Sequence, residues 1–112
     1  MIHLIQKKAT AEQVEEMLET LGTYIKAAVD IRRKTLAGGG ILHADCEAEL
    51  LTGGSRQEDI WGADWYPKSQ RVRFEALINI RPRQNNPGME IQNPDIRLQV
   101  ESIVKDLLGG LK

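Results

Sequence analysis

Residues 24–40, YIKAAVDIRRKTLAGGG, decide how the rest of the chain is assembled. Ile25, Ala27, Val29 and Ile31 fall on one side and Lys26, Ala28, Asp30 and Arg32 on the other, the two-residue period of a half-buried strand. A tight turn around Arg33–Lys34 returns the chain through TLAGGG as a paired strand. The three glycines 38–40 permit a sharp or left-handed conformation before Ile41. An antiparallel hairpin at this point favours an α+β architecture over strict βαβ repeats.

On its N-terminal side lie a short apolar run, IHLI (2–5), read as a first strand, and TAEQVEEMLETLG (10–22), read as a helix. Thr10 and Gln13 have capping-box spacing, Val14, Met17, Leu18 and Leu21 make one stripe, and Gly22 stands at the C′ position. On the C-terminal side a short acidic helix is expected over about residues 45–52, ended by Gly53 and Gly54. DIWGADWY (59–66) and RVRFEALINI (71–80) read as an antiparallel pair joined across PKSQ. Val72, Phe74, Ala76, Ile78 and Ile80 share one face of the second, the most regular strand pattern in the chain. RPRQNNPGMEIQ is rich in breakers and reads as loop. NPDIRLQVESIVKDLLGGL is a helix with Asn93 as N-cap, Pro94 at N1 and a stripe of Val100, Ile103, Val104, Leu107, Leu108 and Leu111. The expected fold is therefore α+β, one domain over 1–112. It is a two-layer sandwich in the order β-α-β-β-α-β-β-α, with a mostly antiparallel sheet and the helices on one face. The other sheet face would then carry Lys26, Asp30, Arg32, Arg73, Glu75, Asn79 and Arg81.

At 112 residues, 41% hydrophobic and 28% charged, the composition is that of an ordinary globular domain. Such a chain buries roughly two thirds of its unfolded surface and needs no disulfide or metal to fold. A net charge of −1 argues against wholesale attraction to nucleic acid or anionic membrane. The charges are nevertheless segregated. Glu12, Glu15, Glu16 and Glu19 stand without a base; Asp45, Glu47, Glu49, Glu58 and Asp59 face only Arg56; Arg71, Arg73, Arg81 and Arg83 face only Glu75. A single cysteine, no apolar run of membrane-spanning length and no visible signal peptide point to a cytoplasmic protein.

Several constellations carry potential chemistry. His43 and Glu47 would share a helix face, and Asp45 suits the positive helix end. His43 with Asp45 or Asp59 offers a base and its orienter, with Arg81 and Arg83 as an anion clamp. No three-ligand metal spacing and no cofactor motif is present, so no metal or cofactor is expected. Gly38–Gly40 lack the spacing and the lysine of a phosphate loop. Cys46 has no basic neighbour in sequence and reads as a small hydrophobe, and His3 as a structural or surface residue. Trp61 and Trp65 project to the same side of their strand, as core or as a stacking surface. Asn79, Arg81, Arg83, Gln84, Asn85 and Asn86 crowd amide and guanidinium donors at a strand end, where Arg56, Asn79, Arg81, Arg83, Trp61 and Trp65 are the candidate binding residues.

The strings HADCE, GSRQEDIWGADWYP and INIRPRQNN, with the rest of 29–97, resemble a small bacterial family catalogued only as a domain of unknown function. The resemblance covers nearly the whole chain and implies one free-standing domain. It implies no activity, cofactor, partner or catalytic residue. The function expected from the residues is that of a small binding or interaction protein without catalysis, with a protein partner or a second copy of itself. A small hydrolase or nuclease built on His43, Asp45, Asp59 and the arginines is the alternative. Nucleic-acid binding along the arginine strand is a third reading.

Overall fold

The computed structural model describes residues 1–110. The elements are β1 (His3–Ile5), α1 (Ala11–Leu18), β2 (Ile25–Asp30), β3 (Thr35–Gly38), α2 (His43–Thr52), β4 (Ile60–Tyr66), β5 (Arg71–Arg73) and α3 (Pro94–Leu108). Three short 3₁₀ turns lie at Gln57–Asp59, Leu77–Asn79 and Pro82–Gln84. The strands form one open antiparallel sheet ordered β1-β3-β2-β4-β5. The class is α+β, in the order expected.

The central hairpin forms as its alternation predicts. Asp30, fully buried, accepts the Arg32 and Arg33 amides at 2.9 and 3.0 Å through Oδ1, and its Oδ2 accepts the Ser55 hydroxyl at 2.6 Å. That carboxylate fixes the turn, so Ile31 leaves the strand and Lys34 takes the left-handed conformation with φ +58°. Gly39 needs its own freedom. Its φ is +102°, and a Cβ there would stand 2.2 Å from the Met1 carbonyl oxygen.

Helix α1 carries the complete capping box, Thr10 N–H to Gln13 Oε1 at 2.9 Å and Gln13 N–H to Thr10 Oγ1 at 3.1 Å. It stops at Leu18, short of the expected end, and Thr20 beyond it donates its hydroxyl to the Gly39 carbonyl. Helix α3 begins at Asn93, whose side chain accepts the Asp95 and Ile96 amides. Its stripe is buried through Leu108; Leu111 lies outside the described residues.

The layering corrects the expectation. Ile25, Ala27, Val29, Leu36, Trp61, Ala63 and Trp65 meet α1 and α3 on one face. On the opposite face, Ala28, Ala37 and Ile60 meet Cys46 and Leu50 of α2, with Ile78 against them. The helices therefore occupy both faces, because β2 and β3 offer small apolar side chains to the second face as well as large ones to the first. What was expected as an open polar sheet face is covered in part: Asp30, Asn79 and Arg81 are buried, while Arg32, Arg73 and Glu75 stay exposed.

RVRFEALINI is the second correction. Its ladder ends at Arg73. Phe74 then packs with the α3 side and Ile78 with the α2 side, so the alternation does not describe one face. The chain crosses the β4 edge at Gly62, where an added Cβ would lie 2.5 Å from Ala76 Cβ. The Asn79 side chain completes that edge in place of a strand. Its Oδ1 accepts the Gly62 amide at 2.7 Å and its Nδ2 donates to the Gly62 carbonyl at 3.1 Å.

Candidate functional site

His43 and Glu47 sit one turn apart on α2 and are both about nine-tenths buried. Each reaches a different partner outside the helix. Arg81 Nη2 donates to Glu47 Oε2 at 3.3 Å, its Nε to the Ile78 carbonyl at 2.9 Å, and its Nη1 to the Gln57 carbonyl at 2.5 Å and Gln84 Oε1 at 3.4 Å. The guanidinium carbon lies 4.9 Å from the centre of the Trp61 ring. Burial pulls the Arg81 pKa below its ordinary value and Glu47 opposes that pull. Arg81 is thus an internal tie between α2, the 57–59 turn and the 77–84 segment, with its donors turned inward.

His43 Nε2 lies 2.8 Å from Asp64 Oδ1 and 3.2 Å from the Ala63 carbonyl oxygen. Both neighbours are acceptors, which assigns the ring proton to Nε2. The orienting carboxylate is therefore Asp64, not the expected Asp45 or Asp59. Asp45 lies in the first turn of α2 and accepts the Leu42 amide at 3.3 Å. Asp59 is paired with Arg32 and Arg56 through one oxygen, at 3.1 and 3.2 Å. Arg56 also approaches Glu58, at 3.6 Å, and remains exposed.

The other polar residues singled out from the sequence are mostly internal staples. Besides Gly62, Asn79 Nδ2 donates to Phe74 and Met89 carbonyls; Asn86 Nδ2 donates to Asn79, Gly88 and Glu90 carbonyls, and its Oδ1 accepts the Gln92 amide. Gln84 donates to the Glu58 carbonyl. Arg83 and Asn85 stay exposed. Trp61 and Trp65 are core residues whose indole N–H groups are buried without an acceptor. Cys46 is fully buried, and that burial pushes its thiol up to about 11.

Two clefts flank Leu77 and Ile78. One, of about 560 Å³, is lined by Glu47, Glu58, Ile80, Arg81 and Arg83 among others. The other, of about 280 Å³, is lined by Lys26, Leu42, His43, Asp64, Glu75 and Met89 among others. Leu77 belongs to both rims and is 71% exposed, the most exposed large apolar side chain described. Leu42, Ile80 and Met89 are exposed beside it. Among the described residues no three His, Cys, Asp or Glu side chains are grouped to hold a metal ion, and no helix is long and apolar enough to cross a membrane.

A family described as "Protein of unknown function (DUF5674)" matches residues 3–107. The chain belongs to this family. The match spans every element from β1 to all but the last residue of α3, so the family's shared unit contains both clefts. No curated protein and no solved structure matches the chain.

Asp64 is the site residue that sequence reading passed over. The signal was its alternation on β4 opposite the two tryptophans. It becomes readable as a His43 partner once α2 is placed on that face.

Proposed function

We propose that this chain is a bacterial cytoplasmic interaction protein that works by binding and pairs with a second copy of itself across Leu77 and Ile80. The observation that carries this reading is Leu77, an exposed leucine standing beside a cleft that Ile78, Ile80 and Pro82 line together with charged and amide side chains. A knob next to a hole on one face lets two copies related by a two-fold axis each seat the other's knob. The same cleft carries Glu58 and Arg83, charges of opposite sign that a second copy would meet in reversed order. Its polar residues support binding over catalysis, because Arg81 is spent on Glu47 and on the Ile78 and Gln57 carbonyls. The buried thiol of Cys46 is free, the state a reducing compartment maintains, and the bacterial setting rests on the family resemblance.

The test is the mass of the protein in solution by light scattering and sedimentation. A dimer at micromolar concentration that Leu77→Asp converts to a folded monomer supports the reading. A wild-type chain that stays monomeric throughout the micromolar range removes it.

A further inference from the structure

The cleft on the other side of Leu77 holds a different chemistry. His43 is clamped at Nε2 by two oxygen acceptors, so the neutral ring carries its proton there and keeps a lone pair on Nδ1. Nδ1 makes no hydrogen bond among the described residues. It is also not sealed from solvent, unlike the indole nitrogens of Trp61 and Trp65. His43 and Asp64 both line the smaller cleft, so the free nitrogen belongs to a buried ring at a cavity wall.

The cavity has the size and lining for one small amphipathic molecule. Its volume is about 280 Å³, close to the lower end of ligand pockets. Leu42, Ala76, Leu77, Ile78 and Met89 supply apolar walls. The charged groups facing it are Lys26, Asp64 and Glu75. Lys26 donates its ammonium to the Ile41 carbonyl at 3.0 Å.

We propose that His43, positioned by Asp64, is the proton acceptor of a small-ligand site in this cleft, and that its ligand is an apolar ring carrying an acidic hydroxyl, a phenol. On binding, the hydroxyl donates to Nδ1. In full transfer the O–H bond breaks, an N–H bond forms at Nδ1, and the electron pair stays on the ligand oxygen. Asp64 then faces an imidazolium through Nε2–H and stabilises it, and Lys26, which lines the same cleft, offsets the phenolate's charge. Glu75 opposes an anion at the rim and limits the site to ligands whose charge is buried near His43. No co-reactant is needed. The proposal does not depend on self-association, which mass measurement reads separately.

The experiment uses wild-type protein and two probes of nearly the same shape, para-nitrophenol and para-nitroanisole, the second lacking the proton. Heteronuclear NMR of the imidazole nitrogens first locates the ring proton. The expected result is protonated Nε2 and bare Nδ1. Nitrophenol should shift the Nδ1 resonance and enlarge the visible nitrophenolate band over that of free probe at the same pH. Nitroanisole should bind about tenfold more weakly, the worth of one hydrogen bond to a charged or ionising group. His43→Gln should abolish the preference between the probes. A proton found on Nδ1, equal affinity for the two probes, or nitrophenol that leaves the His43 resonances unmoved each overturns the proposal. All three are read on wild-type protein, so a variant that fails to fold does not protect it.

Discussion

Asn79 shows how much of this fold hangs on single polar side chains. Four backbone groups on three segments, at Gly62, Phe74 and Met89, meet one buried amide. Truncation to alanine strips the Gly62 N–H and carbonyl of their partner, while the Phe74 and Met89 carbonyls keep the Ile91 and Ala76 amides, at about 1–3 kcal/mol for each buried polar group left unpaired. Asn79→Ala should therefore lower stability by at least about 2 kcal/mol in urea unfolding; a loss below half that would show water replacing the amide. The Glu47–Arg81 pair behaves differently, because here the charge itself is buried. Glu47→Ala should cost about 3–5 kcal/mol, since Arg81 would keep its charge without its carboxylate. The exposed Arg56–Glu58 pair should contribute less than about 1 kcal/mol when either partner is removed. Cys46 adds a pH dependence. Its folded pKa, about 11, lies above its ordinary 9.0, so the native state keeps a proton that the unfolded chain releases. Stability is unaffected below pH 9 and falls as pH rises from 9 towards 11, by up to about 2–3 kcal/mol for a shift of this size. Comparing wild type with Cys46→Ala across that window isolates the thiol; parallel pH profiles would show that its burial is relieved by local opening.

Among the elements, the crossing of the β4 edge sets the geometry of both clefts. Residues 74–79 pass over Gly62 closely enough that only glycine fits. Gly62→Ala forces apart Ala76 and Ile78 and should cost about 1–3 kcal/mol as an overpacked site. Because Ile78 lies between the clefts, NMR shifts from this variant should concentrate at His43 and Arg81; shifts confined to β4 would contradict the crossing as their shared support. The same place marks the limit of what could be read from the chain. The hairpin, the capping box of α1 and the Asn93–Pro94 start of α3 were legible because each is a local pattern with a local cause. The strand over 71–80 was not, since its alternation is genuine but Phe74 and Ile78 serve opposite cores. Nothing local distinguishes that from one continuous face. The position of α2 was hidden for a related reason. Ala28, Ala37 and Cys46 are too small to announce a second core, and only their meeting reveals it. At the site, His43, Glu47 and Arg81 were legible as residues of note, while Asp64 and the inward use of the Arg81 donors depend on contacts across many residues of sequence.

For the whole molecule, the question is why a 112-residue chain with a well-buried core leaves Leu77 and Ile80 in solvent. Scattered apolar residues on a surface need no explanation, but two beside a cleft bearing both a carboxylate and a guanidinium form a patch of the kind interfaces use. With a net charge of −1, long-range repulsion between two copies is small, so short-range contacts decide whether they associate. In a two-fold contact, Glu58 of one copy faces the Arg83 side of the other, and the reverse pair forms at once. Reversing one charge should then weaken the dimer twice over. Arg83→Glu should raise the dissociation constant by about tenfold or more, and Glu58→Arg in the same chain should restore most of the loss, as expected for charges coupled across an interface. Neither change should alter the thermal midpoint of the dilute monomer by more than surface substitutions usually do, about 0.5 kcal/mol in stability. For wild type the midpoint should climb with protein concentration, because association stabilises the folded chain by mass action. Sedimentation at several concentrations, with the two single variants and the double, reads all of this together. Restoration in the double variant would place Glu58 opposite Arg83 across the contact; additive weakening would put both in the contact but not opposite each other, and no weakening would mean that the two copies meet elsewhere.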